Sequence, residues 1–80
     1  MKLDPTSKFN KNFKQLPKSI REKFYKQASF LLRDILYPSL HAKKYDETTD
    51  TWQARVDKNV RFYFLIEKDA YVLIDIKQHD

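Results

Sequence analysis

The stretch Trp52-Gln53-Ala54-Arg55-Val56-Asp57-Lys58-Asn59-Val60-Arg61-Phe62-Tyr63-Phe64-Leu65-Ile66 decides how this chain folds. Apolar side chains recur at every second position on both sides of a short polar break: Trp52, Ala54 and Val56 before it, Val60, Phe62, Phe64 and Ile66 after it. That period belongs to a strand with one buried face, and two such runs across a short polar connection form a hairpin. Residues directly opposite each other point to the same face. Burying both apolar sets therefore pairs Val56 with Val60, Ala54 with Phe62 and Trp52 with Phe64. The connection is Asp57-Lys58-Asn59, with Asn59 expected in the left-handed conformation such turns use. Beyond a second turn at Lys68-Asp69-Ala70, the alternation resumes with Val72, Ile74 and Ile76. Matching the apolar sets again pairs Ile66 with Val72, Phe64 with Ile74 and Phe62 with Ile76.

The same alignment dictates the other face. Arg55 falls opposite Arg61, and Arg61 opposite Lys77, a row of cations on strands about 4.8 Å apart. Gln53, Tyr63 and Asp75 form a second row, and His79 follows Lys77 at the edge of the face. Like charges directly opposite each other weaken a sheet, so the row needs a reason. One reading is an anion cradle, in which Arg offers bidentate hydrogen bonds to phosphate and Lys a point charge. The other is a solvated face on which Asp75 or Glu67 neutralises the arginines diagonally. On this alignment Tyr63 and Tyr71 are exposed, either to stack on unpaired bases or to brace the cationic stems. The imidazole of His79 suits proton transfer at that face, whereas His41 reads as a solvent-exposed loop residue.

Upstream the period changes. Phe9, Phe13 and Leu16 at i, i+4 and i+7 predict a short helix capped by Thr6 or Ser7. Pro17 opens a second helix, whose stripe Ile20, Phe24, Ala28, Leu31, Leu32 and Ile35 runs to about Leu36 before Tyr37-Pro38 closes it. From Pro38 to Asp50 the chain reads as a connection, with Leu40 tucked under the sheet and Lys43-Lys44-Tyr45 adding positive charge. Leu3-Asp4-Pro5 makes a poor strand. The expected fold class is α+β: an N-terminal helical hairpin packed on a three- to four-stranded antiparallel sheet, as one domain over residues 1–80.

Composition narrows the chemistry. Sixteen Lys and Arg against eleven Asp and Glu leave +5 on 80 residues, a bias toward polyanions such as nucleic acid or an acidic protein. Without Cys there is neither a disulfide nor a thiolate metal site, so packing must carry the fold. Two widely separated histidines fall short of a usual zinc site, and with no Gly there is no glycine-rich phosphate loop. The start, Met1-Lys2-Leu3-Asp4-Pro5, lacks the apolar run of a signal peptide, which makes the cytoplasm the expected compartment.

The segments Leu16-Pro17-Lys18-Ser19-Ile20-Arg21, Pro38-Ser39-Leu40-His41-Ala42-Lys43-Lys44, Trp52-Gln53-Ala54-Arg55-Val56, Arg61-Phe62-Tyr63-Phe64 and Ile76-Lys77-Gln78-His79-Asp80 come in the order of a RelE/ParE-superfamily toxin, which this chain resembles along almost its whole length. The resemblance implies the toxin of a type II toxin–antitoxin system, held inactive by a cognate antitoxin. It further implies a ribosome-dependent endonuclease that cuts mRNA in the A site through attack of the ribose 2′-OH, with no metal or cofactor. Carried onto matching positions, it makes Arg55, Arg61 and His79 the catalytic candidates. Lys43, Lys44, Gln53, Tyr63 and Lys77 become the RNA-binding candidates. Gln53 stands where RelE-like nucleases often have lysine, and no tyrosine follows His79. A ParE-like toxin that binds gyrase and a non-catalytic RNA- or protein-binding relative remain as alternatives.

Overall fold

The computed structural model describes residues 1–79, and Asp80, the last residue of the terminal motif, lies outside them. In chain order the elements are β1 (Lys2–Pro5), α1 (Ser7–Lys14), α2 (Lys18–Arg33), a 3₁₀ turn (Pro38–Leu40), β2 (Lys43–Asp46), β3 (Thr51–Arg55), β4 (Val60–Ile66) and β5 (Ala70–Gln78). The strands form one sheet in the order β1-β5-β4-β3-β2. It is therefore five-stranded and mixed, where a three- or four-stranded antiparallel sheet was expected.

Both additional strands lie at the edges. β1 runs parallel to β5, with Leu3 opposite Tyr71 and Pro5 opposite Leu73. Pro5 is tolerated because it ends an edge strand, where a missing N–H breaks no central ladder. β2 pairs with β3, putting Lys43 opposite Gln53 and Lys44 opposite Trp52. Its Lys-Lys-Tyr-Asp sequence lacks a strand's usual apolar alternation. Lysines of this kind keep an exposed edge from recruiting another chain.

The first hairpin has the register that its apolar pattern requires: Trp52 faces Phe64, Ala54 faces Phe62 and Arg55 faces Arg61. Its turn is held differently from expectation, because Asn59 is not among the positive-φ residues, which are His41 and Asp50. Instead the Asp57 carboxylate accepts the N–H groups of Asn59 and Val60, each at 2.8 Å.

The second hairpin follows the expected register only halfway. Phe62 faces Ile76 and Arg61 faces Lys77, but a bulge after Tyr63 puts Phe64 opposite Leu73 and Ile66 opposite Tyr71. An extra residue in one strand reverses the parity of everything beyond it. Leu73 and Tyr71 consequently enter the core, while Val72 and Ile74 are only half-buried. Tyr71 is thus a core residue packed edge-on against Phe64, and not an exposed aromatic.

Thr6 caps α1 through its hydroxyl, which accepts the Phe9 N–H. Phe9 and Phe24 then meet across the helical hairpin at 5.3 Å, and Phe24 stands edge-on to the fully buried Phe62. α2 stops at Arg33, short of the expected Leu36, because Asp34 is extended and its carboxylate accepts the Leu36 N–H. Leu36 is left 81% exposed. Gln27 fastens the far end of this layer, donating to the carbonyls of Ser39 and Arg55. Leu40, as expected, is fully buried.

Asp57 gives the first hairpin a pH dependence. Burial would raise its carboxyl, but the Asn59 and Val60 N–H groups and nearby Lys23 outweigh that and hold it below the usual range. A depressed folded-state value means stability present above about pH 4 and lost as pH falls through the folded value. Urea unfolding from pH 7 to pH 3 should therefore weaken the wild type more than Asp57→Asn, and Asp57→Ala should cost about 1 kcal/mol at neutral pH.

Candidate nucleic-acid interface

The hairpin registers bring Arg55, Arg61 and Lys77 side by side on the face away from the helices, as the sequence predicts. They are not equally exposed. Arg61 is only 7% accessible, contrary to its expected position on an open face, while Arg55 is half-buried and Lys77 exposed. The Arg61 guanidinium donates to the carbonyl oxygens of Asp57, at 2.7 Å, and Val60, at 3.3 Å. These bonds leave its charge uncompensated while fixing its position. Among the described residues, no carboxylate lies within 4 Å of Arg55, Arg61, Lys77 or Lys43.

The acids that might have neutralised the row are engaged elsewhere. Asp75 accepts a 2.7 Å hydrogen bond from the Asn12 amide and lies 3.5 Å from Lys8 Nζ, both on α1. Glu67 sits in the turn between β4 and β5, outside the paired strands. The diagonal pairing that would make this an ordinary solvated face is thus absent among the described residues, which favours the anion cradle.

The basic face is concave. A cavity of about 360 Å³ is lined by His41, Ala42, Lys43, Gln53, Arg55, Arg61 and His79. Arg55 and Gln53 come from β3, Arg61 from β4 and Lys43 from β2. His79 is carried in from the end of β5, where its N–H donates to the Asn59 carbonyl at 2.7 Å. His41 enters because the 3₁₀ turn ends with it in the left-handed conformation, φ 45° and ψ 42°. Sequence reasoning missed it. The Leu40 anchor beside it was the available signal, since a loop pinned to the core cannot carry its neighbour far from the sheet. The two histidines, far apart in sequence, thus line one cavity.

The other candidates divide. Lys77 and Tyr63 line an adjoining groove of about 230 Å³ with Tyr45, Gln78 and His79. Lys77 Nζ stands 5.3 Å from the Tyr63 ring centre. Tyr63 is buried, which raises its phenol above the usual value, with Tyr45 adding to the effect. It is therefore not the open stacking surface expected. Lys44 is not brought to the site: register sends it to the Trp52 side, 5.6 Å from that ring, where it pairs with Asp50 at 3.0 Å.

No family model matches the chain, and no curated protein matches it. Solved structures do share its fold. The YoeB/ParE toxin from Agrobacterium tumefaciens is 15% identical, with all of both chains covered and a TM-score of 0.82. The archaeal RelE-RelB complex from Pyrococcus horikoshii OT3 is 16% identical, covering 96% of this chain and 92% of that one, with a TM-score of 0.78. The toxin-antitoxin complex RelBE2 from Mycobacterium tuberculosis is 20% identical over 98% of this chain and 96% of that one, also at 0.78. The likeness is one of fold, shared along nearly the whole of each chain. Among the described residues, no helix is long and apolar enough to cross a membrane.

An unneutralised cavity predicts anion binding. Inorganic phosphate should raise the thermal midpoint more than chloride at equal ionic strength. At tenfold over its dissociation constant the gain is about 1.4 kcal/mol, and Arg55→Ala should remove most of it.

Proposed function

We propose that this chain is the toxin of a type II toxin–antitoxin pair, acting in the cytoplasm as an endoribonuclease on mRNA in the ribosomal A site. The observation that carries this reading is the cavity in which Arg55, Arg61 and His79 converge, with no carboxylate lining it among the described residues. In such a cleavage the ribose 2′-OH attacks the adjacent phosphorus, the P–O5′ bond breaks, and charge builds on the non-bridging oxygens. Donors fixed before the reaction stabilise that charge without reorganising. Arg61 suits this role because the Asp57 and Val60 carbonyls already hold it. Arg55, with no side-chain acceptor among the described residues, is available to grip the phosphate bidentately.

His79 is the proposed proton-transfer group, taking the 2′-OH proton or supplying one to the departing 5′ oxygen. His41, which lines the same cavity, would serve the opposite transfer. Lys43 and Gln53 would hold the flanking backbone, with Lys77 contributing charge from the neighbouring groove. A cognate antitoxin is the expected partner, a reading supported by the toxin–antitoxin complexes among structures of this fold.

The test is induced expression followed by mapping of cellular mRNA 5′ ends. Wild type should create new ends within translated codons, and Arg55→Ala should reduce them by about 10²-fold or more. Its thermal midpoint should change little, because Arg55, unlike Arg61, does not hold the hairpin turn. Intact messages with a DNA-damage response would refute the ribonuclease reading in favour of gyrase binding, as would undiminished cleavage by Arg55→Ala.

A further inference from the structure

We infer that Tyr45 is a base-stacking platform that receives the nucleoside next to the phosphate held at Arg55 and Arg61, and so contributes to nucleotide preference. The inference rests on the proposed RNA substrate and adds a subsite to it. Tyr45 is 59% exposed and lines the groove that adjoins the basic cavity. Its position is the product of a bulge: β2 departs from regular pairing between Lys44 and Asp46, so Tyr45 has no partner in β3. A bulge puts two residues against one and re-aims a side chain. Here it turns the Tyr45 ring edge-on to Tyr63, 4.9 Å between centres at 65°.

The second bulge of the sheet meets the first at this point. The extra residue in β5 is Ile74, and it lines one groove with Tyr45 and Tyr63. Tyr63 is nearly closed off and carries Lys77 against its ring, which makes it the support and leaves Tyr45 as the open face. The groove of Tyr45, Tyr63 and Lys77 shares His79 with the cavity of Arg55 and Arg61. The two depressions thus adjoin at His79, with the arginines on one side of it and the aromatic ring on the other. Single-stranded nucleic acid is recognised by this combination, phosphates by cations and unpaired bases by aromatic stacking.

The experiment titrates the whole chain at low salt with a non-cleavable 2′-O-methyl RNA tetranucleotide. A matched set lacks each base in turn, and a 2-aminopurine reports stacking. Tyr45→Ala should weaken the intact tetranucleotide roughly tenfold. It should leave the salt dependence unchanged, because no phosphate contact is lost. For one abasic member, wild type and Tyr45→Ala should bind alike, and Tyr45→Trp should restore both affinity and 2-aminopurine quenching. Wild-type affinity in Tyr45→Ala, alongside lost binding in Arg55→Ala, would overturn this inference and leave the RNA-binding cavity standing. Absence of binding by wild type to every member would overturn both.

Discussion

Strand β4 is hydrogen-bonded along both edges, to β3 and to β5, and its Phe62 lies opposite Ala54 on one side and Ile76 on the other. All three side chains are buried against the layer that holds Phe24 and Leu31. Moving β4 by one residue would turn Phe62 and Phe64 out to solvent, a loss of about 1.5–3 kcal/mol for each ring exposed. The core therefore locks the parity of the central strand. Parity in turn locks Arg61 between Arg55 and Lys77 on the opposite face. The cationic face is set by how the greasy face packs, and the two halves of the molecule are one constraint seen from two sides.

Electrostatics explains why that face keeps its charge. Among the described residues the nearby acids have local engagements that draw them away: Asp75 with Asn12 and Lys8 of α1, and Asp57 with Lys23 and the turn N–H groups. Asp46 accepts from the backbone and hydroxyl of Thr48, which lowers its carboxyl below the usual value. Asp50 and Glu47 gather around Lys44, which points away from the cavity. The result is a concave surface of one sign, of the kind that concentrates anions. Arg61, fastened to backbone oxygen in place of a carboxylate, is the residue in which this arrangement is most fully built.

What the sequence made legible follows from how strongly each pattern was constrained. The first hairpin could be aligned to the residue because Ala54, Phe62 and their neighbours alternate with polar residues that have no place in a core. Tyr71-Val72-Leu73-Ile74-Asp75-Ile76 offered no such contrast: apolar residues stand at both parities, and no Gly marks the bulge at Ile74. The cation row survived this ambiguity because Arg61 and Lys77 pair before the bulge, whereas Tyr71 lies beyond it and changed faces. β1 and β2 were obscured because edge strands need little burial, so Lys43, Lys44 and Pro5 carry no strand signature. His41 and Tyr45 were missed for a related reason. Their places depend on a left-handed turn and a second bulge, both of which are backbone events without a side-chain pattern.

Opposed like charges retained across β3, β4 and β5 to bind an anion come at some expense to the sheet. Lys77→Glu tests this directly, because residue 77 is exposed and lies opposite Arg61. The measurement is the urea midpoint of this variant with and without inorganic phosphate. Replacing a like-charge pair by an opposite-charge pair should raise stability without phosphate by about 0.2–1 kcal/mol, while the increment due to phosphate shrinks. A variant no more stable than wild type, with its response to phosphate intact, would show that the charge row neither strains the sheet nor holds the anion.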